Sequence, residues 1–287
     1  MRFLSAVTLI VVLITASYIS DHGATQRREV RQLDRIMFLG NEGILAKHGS
    51  VKVLFDAFFS NPIKPEVNVP EDMRKAMFEG GPPFDGISVV FVTHLHGDHY
   101  NGPDLVRYLS VHPDAKLVAP KQVVERLKEK EHPAQKMLLR VVPITATEGG
   151  PPQRFNIGAV KIEAFHVIHL PIGRPGPMEN IIYRVQIGNG VTIMHFGDAD
   201  INPESYSGQL AAWQARRSDI AFAPFWFFGV DPDGVGPIID VKKQLNVDRL
   251  VGFHAWNSTL QDIDRLEKRD QFILKPGETI KLAPSRQ

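Results

Sequence analysis

The fold is decided by the stretch Thr93-His94-Leu95-His96-Gly97-Asp98-His99-Tyr100-Asn101-Gly102. Residues 87–92 before it are apolar and mostly β-branched, so they predict a buried strand. His94 and His96 then point the same way, because alternate side chains share one face of an extended chain. Gly97 lets the backbone turn, which brings Asp98 and His99 to a neighbouring position. Imidazoles with a carboxylate suit zinc and also bind iron or manganese, so the stretch predicts a metal site.

This run resembles the His-x-His-x-Asp-His signature of the metallo-β-lactamase superfamily. The alternative is a surface loop that happens to be rich in histidine, but a packed loop gains nothing from three imidazoles. The resemblance implies the four-layer αββα sandwich of that superfamily. Residues 35–55 predict an antiparallel meander with Gly-containing turns, Gly188-Asn189-Gly190 predicts a hairpin turn, and residues 204–216 predict a helix. The alternation of predicted strands and helices indicates, by itself, only a layered α/β fold.

Other predicted strands also end at candidate ligands. Residues 160–165 alternate in polarity and lead to His166 and His169, residues 191–196 lead to Asp198, and residues 249–253 lead to His254. The superfamily resemblance implies two ligand sets: His94, His96 and His169 for a first ion, and Asp98, His99 and His254 for a second, with Asp198 bridging the two. Asp98 and Asp198 are the predicted catalytic carboxylates, and both act as ligands.

Several side chains near these ligands have alternative interpretations. His166 is the alternative to His169 as third ligand, and otherwise contacts a ligand or lies in the core. His195 is interpreted as a core histidine, and Asp200 as either an orienting group or a helix cap. Asp56 is interpreted as a residue that closes a turn, although superfamily members often carry an Asp there, near but outside the metal ligands. Four residues close to ligands in sequence are candidates for substrate contact: Tyr100, Asn101, Trp256 and Asn257. The run Phe225-Trp226-Phe227-Phe228 is interpreted either as the lining of an apolar pocket or as part of the core. Four further histidines are assigned to the surface: His22, His48, His112 and His132.

The resemblance implies a dinuclear metal-dependent hydrolase that acts on a small molecule. Two divalent ions, zinc being expected with iron or manganese as alternatives, would hold a bridging hydroxide that attacks an ester, lactone, amide or phosphodiester bond. An exported β-lactamase is one alternative, although many such enzymes use Cys where this chain has Asp198. A second alternative is a non-catalytic metal-binding protein. Diiron redox members of the fold usually have Glu at the position of His96.

Length and composition limit the remaining function classes. The chain has 287 residues, of which 43% are hydrophobic, and this is enough for one sizeable core. Its formal net charge of +1 gives no electrostatic reason to expect nucleic-acid binding. The sequence contains no Cys, which excludes disulfides and thiolate ligands. We predict one hydrolase domain over residues 35–287, preceded by a linker over residues 21–34.

The N-terminal segment predicts export. Met1-Arg2 is a short basic start, and residues 3–20 carry no charge. This pattern is typical of a secretory signal peptide, which would place the mature protein in the periplasm or outside the cell. An uncleaved membrane anchor is the alternative, because a segment of this length is at the lower limit for a spanning helix.

If the segment is a signal peptide, the mature protein should start between about residues 17 and 25, just after the apolar stretch. N-terminal sequencing of secreted or periplasmic material measures this directly. Recovery of the full-length chain in the membrane fraction would instead support the anchor.

Overall fold

The computed structural model describes residues 34–61, 64–170, 178–230 and 237–282. The predicted signal or anchor segment, His22 and nearly all of the predicted linker lie outside the described residues. None of the helices within these four ranges is long and apolar enough to cross a membrane.

The first sheet has seven strands. In chain order they are β1 (Asp34–Gly40), β2 (Gly43–His48), β3 (Val51–Phe55), β4 (Ile87–Phe91), β5 (Lys116–Pro120), β6 (Val141–Ile144) and β13 (Thr279–Leu282). Their order across the sheet is β13-β1-β2-β3-β4-β5-β6. Strands β1 to β3 form the antiparallel meander that their Gly-containing turns predict. Strands β3 to β6 run parallel, so the carboxyl ends of β3 and β4 meet at one edge.

The second sheet has six strands, in the order β12-β11-β10-β9-β8-β7. They are β7 (Gln153–Ile157), β8 (Val160–His166), β9 (Ile181–Ile187), β10 (Thr192–His195), β11 (Ser218–Pro224) and β12 (Val247–Phe253). Strands β9 and β10 form the antiparallel hairpin expected around residues 188–190. Strands β10, β11 and β12 are parallel, so β10 and β12 also end at a common edge.

Helices cover the outer faces of both sheets. They are α1 (Glu71–Glu79), α2 (Gly102–Val111), α3 (Lys121–Glu131), α4 (Gln135–Leu138), α5 (Leu210–Gln214), α6 (Val241–Gln244) and α7 (Asn257–Arg265). The central apolar cluster combines side chains of the two sheets, such as Phe55 and Phe222. A second cluster lies under α1 to α3, and a third packs under α5 and α6. These layers confirm the predicted αββα sandwich.

Two segments differ in local structure from what their sequence suggests. The helix predicted over residues 204–216 is a 3-10 turn, Pro203–Gln209, followed by the short helix α5. The aromatic run Phe225–Phe228 is also a 3-10 turn, and all four rings are buried. A strand could not bury four successive side chains on one face, whereas the tight turn distributes them around its axis.

A buried ion pair joins the second sheet to α5. Arg184 on β9 is 0% exposed, and its Nε donates to Glu163 Oε2 on β8 at 2.6 Å. The other guanidinium nitrogens donate to the carbonyls of Ala212, Trp213 and Arg216 at the end of α5. The cation therefore satisfies carbonyl groups that the helix terminus leaves free, and it fixes α5 on the sheet.

Glu163→Gln should destabilise the protein by about 3 kcal/mol at pH 7, because it leaves Arg184 buried without a counter-ion. Burial alone would raise the pKa of Glu163, but hydrogen bonds from Arg184 and Arg154 outweigh burial and lower it. The ion pair therefore contributes to the free energy of unfolding above the ordinary Glu pKa of about 4.3. This contribution is lost as the pH falls through the lower pKa that Glu163 has in the folded state. Urea unfolding at several pH values measures this difference.

The control variant is Asp248→Asn, which removes an acid that pairs with Arg217 at the protein surface. Its effect should stay below about 1 kcal/mol, because exposed ion pairs contribute little. Equal effects of the two substitutions would contradict the structural role assigned to Glu163.

Candidate metal centre

The predicted ligands converge at one edge of the sandwich, where strands of both sheets end. His94 and His96 follow β4, His254 follows β12, and Asp198 follows β10 at a distance of three residues. His169 comes from the segment after β8, which pairs with the segment after β10 through a bridge between His169 and Ala199. Backbone hydrogen bonds hold the two sheets together here, from Ile181 N to Thr93 O at 3.0 Å and from His254 N to Asn41 O at 3.1 Å.

The first set consists of His94, His96, His169 and Asp198, whose ligand atoms all lie within 4.8 Å of one another. His94 Nε2 is 3.1 Å from His96 Nδ1. Asp198 Oδ2 lies 3.7 Å from His94 Nε2 and 3.3 Å from His169 Nε2. These are the residues that the superfamily resemblance implies for the first ion.

The second set includes His99, His254 and Asp198. The Nε2 atoms of His99 and His254 are 3.4 Å apart. Asp198 Oδ1 lies 3.4 Å from His99 Nε2 and 3.6 Å from His254 Nε2. Asp98 Oδ2 lies 3.5 Å from His254 Nε2, which places Asp98 beside this set.

Asp198 lies between the two sets, and each of its oxygens faces a different one. Gly197, with φ +52°, brings the chain round to this position. A Cβ at Gly197 would lie 2.5 Å from Asn180 Oδ1 and 2.7 Å from Thr93 Oγ1, so only glycine fits. The Asn180 side chain accepts from Asp198 N at 3.1 Å and donates to Phe196 O at 3.0 Å, which fixes the turn.

In three of these imidazoles, the Nδ1 atom faces away from the centre of the site and donates a hydrogen bond to an oxygen atom. His94 Nδ1 donates to Thr93 Oγ1 at 3.0 Å, His99 Nδ1 to Asp56 Oδ2 at 2.9 Å, and His169 Nδ1 to Leu170 O at 2.7 Å. Each contact leaves the Nε2 lone pair facing the centre of the site. This arrangement of outer contacts is typical of metal-binding histidines.

Asp56 has a larger role than closing a turn. It is fully buried, and its carboxylate accepts from Thr93 N at 2.8 Å and Thr93 Oγ1 at 2.6 Å, as well as from His99. The carboxylate therefore ties the end of β4 to a ligand of the second set. The position of Asp56 at the end of β3 favours a turn role, whereas the superfamily resemblance suggests an Asp near the metal ligands.

Charges in the site are set by burial and by close neighbours. Burial, together with the neighbouring His99, holds the pKa of His94 well below its ordinary value, so His94 is neutral. Burial also opposes ionisation of Asp198, but His254 and His99 outweigh it and hold the Asp198 pKa well below its ordinary value. For His99, the nearby Asp198 and Asp56 outweigh burial and raise the pKa.

The donor atoms fit two metal ions. Two nitrogen ligands at about 2.0–2.1 Å from a tetrahedral zinc lie about 3.3–3.4 Å apart. The nitrogen pairs His94–His96 at 3.1 Å and His99–His254 at 3.4 Å match that separation. In addition, Asp198 Oδ1 is buried without a hydrogen bond to any residue that the structure describes. The exposed side of the site is formed by His96, Asp98 and His169, all of which are partly accessible.

The other sequence candidates take structural roles. His166 Nδ1 donates to Ala146 O at 3.1 Å, and neither candidate ligand set includes His166. His195 is a core histidine as predicted, with Nε2 donating to Glu42 O at 2.8 Å and Nδ1 accepting from Gly197 N. Asp200 accepts from Ser205 Oγ, whereas Asn202 is the residue that caps the following turn. Asp200 therefore has neither of its two predicted roles.

Among the candidates for substrate contact, some have structural roles and one lies beside the site. Tyr100 packs in the cluster under α1 to α3, and Asn101 is the N-cap of α2. Trp256 contacts the site, since its ring centre lies 5.3 Å from that of His254. Two histidines assigned to the surface are partly buried instead: His48 bonds to Asp34, and His112 Nε2 donates to the carbonyls of Met77 and Phe78.

Glu42 is the site residue that the sequence analysis missed. It lies in the turn between β1 and β2, is 0% exposed, and has a carboxylate oxygen within 4.8 Å of ligand atoms of His99, Asp198 and His254. Burial raises the pKa of Glu42 well above its ordinary value, despite the opposing effect of His99. In sequence, an acid in the run Gly40-Asn41-Glu42-Gly43 cannot be distinguished from an exposed turn residue.

Comparison with known proteins agrees with this geometry. The family model of the β-lactamase superfamily domain matches residues 52–254. A UPF0173 metal-dependent hydrolase of Pyrococcus horikoshii is 26% identical over 258 residues, which cover 86% of this chain and 99% of the relative. Igni18, a metallo hydrolase from Ignicoccus hospitalis, has the same fold at 15% identity with a TM-score of 0.54, covering 87% of this chain and 98% of its own. CmlA, a diiron β-hydroxylase from Streptomyces venezuelae, is similar with a TM-score of 0.53 at 14% identity, covering 88% of this chain and 54% of its own.

The chain therefore belongs to the β-lactamase superfamily. Within that superfamily it is a metal-dependent hydrolase.

His169→Ala should lose the first ion, whereas His166→Ala should retain it. The reason is that His169 Nε2 faces Asp198, while His166 bonds to a distant carbonyl. Elemental analysis of both variants after dialysis measures the bound metal per chain. If His166→Ala empties the first set and His169→Ala does not, the third-ligand assignment is reversed.

Proposed function

We propose that the protein is a dinuclear hydrolase, with zinc as the expected metal, that cleaves an ester, lactone, amide or phosphodiester bond of a small molecule. The observation that carries the proposal is the position of Asp198, whose two oxygens face two separate imidazole sets at 3.3–3.7 Å. A single metal ion would use only one of these sets. We also propose export, as the uncharged N-terminal segment predicts.

Two ions held in this way would lower the pKa of a water between them from about 15.7 towards ~7 and polarise the bond under attack. The chain supplies the rest of the arrangement. Asp198 fixes the separation of the two sets and contributes negative charge between them. Asp56 and Thr93 orient His99 and His94, so the ligand nitrogens are aligned before substrate arrives.

The exposed side of the site gives the substrate its direction of approach. His96, Asp98 and His169 are partly accessible, whereas His94 and His99 are fully buried beneath them. Trp256 lies beside His254, and the Lys64 ammonium lies 3.0 Å from the centre of the Trp256 ring. An aromatic ring beside the site would favour a substrate with an apolar part.

Asp198→Asn should lower kcat by more than about 10²-fold on any substrate found by screening, while the first set retains most of its metal. An amide oxygen is a weaker ligand, and the lost negative charge leaves the two ions repelling each other more strongly. The screen uses metal-loaded protein with lactones, β-lactams, thioesters and phosphodiesters, and metal content is measured on the same preparations.

Asp200→Asn is the matched control. Asp200 lies two residues further along the chain, but its side chain contacts Ser205 and Ile201 N rather than the imidazoles. Its kcat should stay within a few-fold of wild type. Near-normal turnover of Asp198→Asn would mean that Asp198 is not a shared ligand and that the dinuclear proposal is wrong.

A further inference from the structure

Glu42 is a buried carboxylate for which the core supplies no counter-ion. It is 0% exposed, and neither of its carboxylate oxygens has a hydrogen bond to any residue that the structure describes. A buried ionised carboxylate is costly unless it is paired or bound to a metal ion, and a neutral carboxyl group still leaves buried oxygens without hydrogen bonds. Glu163 shows the usual solution in this same protein, because it bonds to Arg184 and Arg154.

The two imidazoles beside Glu42 do not supply the missing partner. Glu42 Oε2 lies 3.7 Å from His99 Nδ1 and 4.0 Å from His195 Nδ1. The proton on His99 Nδ1 is directed to Asp56, which lies closer at 2.9 Å. His195 Nδ1 already accepts from Gly197 N, so it carries no proton to donate. Both neighbours are therefore committed to other groups.

Glu42 belongs to two groups of possible ligands, one with Asp56 and His195 and the other with residues of the second ligand set. A Glu42 oxygen and one ligand atom from each of His99, Asp198 and His254 lie within 4.8 Å of one another. Two ligands at about 2.0–2.2 Å from one tetrahedral ion are about 3.3–3.6 Å apart. The Glu42 carboxylate would therefore have to move towards the other three residues to bind an ion that they hold.

We propose that Glu42 is an additional carboxylate ligand of the second ion, an inference that rests on the dinuclear function proposed above. The second position would then have three carboxylates, from Glu42, Asp98 and Asp198, beside His99 and His254. The first position has three imidazoles and shares only Asp198. Because oxygen ligands suit harder cations and imidazole suits zinc, the second position should prefer Mn²⁺ or Fe²⁺ more strongly than the first does.

The test compares wild type with Glu42→Gln by titrating metal-free protein with MnCl₂ and, separately, with ZnCl₂. Isothermal titration calorimetry gives the affinities, and elemental analysis gives the number of ions per chain. Wild type should bind two Mn²⁺. In Glu42→Gln, the affinity for the second Mn²⁺ should fall by a factor above about 100. Loss of a residue that only contacts the ligands lowers metal affinity by about 10- to 100-fold. The first Mn²⁺ should change by only a few-fold, and the second Zn²⁺ should weaken less than the second Mn²⁺.

Glu163→Gln is the control for the loss of a buried carboxylate, and it should leave both metal affinities unchanged. Thermal unfolding of metal-free protein provides a second measurement. Glu42→Gln should have an equal or higher Tm than wild type without metal, and it should gain less Tm on addition of Mn²⁺. If Glu42→Gln does not fold, Glu42→Asp replaces it with the same expected weakening, because the shorter side chain retracts the carboxylate.

The outcomes separate the two proposals. If wild type binds two ions and the Glu42 variant binds both equally well, the assignment of Glu42 is overturned while the dinuclear function stands. A lower Tm without metal, combined with unchanged Mn²⁺ affinity, would also overturn it and give Glu42 a structural role. If wild type itself binds fewer than two ions, the dinuclear function fails, and the assignment of Glu42 fails with it.

Discussion

Asp198 can face both imidazole sets only because strands from two different sheets end at the same edge of the sandwich. The segment after β4 supplies four candidate ligands, and the segments after β8, β10 and β12 supply the other three. Hydrogen bonds across this edge, from Ile181 N to Thr93 O and from His254 N to Asn41 O, set the distance between the two groups. The rest of the fold keeps these strand ends in register, so the site depends on the packing of the two sheets.

The residues around the ligands show how this position is maintained. Asp56 and His254 both adopt left-handed backbone conformations, with φ values of +40° and +55°. Such conformations are unfavourable for residues other than glycine, and they persist where the surrounding structure determines them. Here the buried contacts of Asp56 with Thr93 and His99 provide that support. The contacts that maintain the left-handed conformation of Asp56 are therefore the same contacts that orient His99.

The fold does not select the reaction. CmlA, a diiron β-hydroxylase, and Igni18, a metallo hydrolase, both resemble this chain in structure. Differences in chemistry on one fold must come from the side chains of the site. In this protein, His96 gives the first position a third imidazole, and Glu42 adds a carboxylate beneath the second. The two metal positions that we propose would therefore differ in the hardness of their ligands, and we expect this difference to affect which cations the protein binds.

The sequence alone determined the features that depend on short stretches of chain. The run from His94 to His99 predicted the metal site, because strand geometry fixes the direction of residues two apart. The resemblance it carries also predicted the sandwich and the two ligand sets. Alternating polarity located β8, and a glycine-rich turn predicted the β9–β10 hairpin.

Only the tertiary structure decided contacts between segments that lie far apart in the sequence. It placed His169, which the sequence analysis had assigned to the first set, beside Asp198, because the chain after β8 pairs with Ala199. It also brought Asp56 to His99 and placed Glu42 beneath the second ligand set. In sequence both acids resemble ordinary turn residues. Whether a turn side chain points to solvent or into the site depends on what packs over it, and local sequence does not encode that packing.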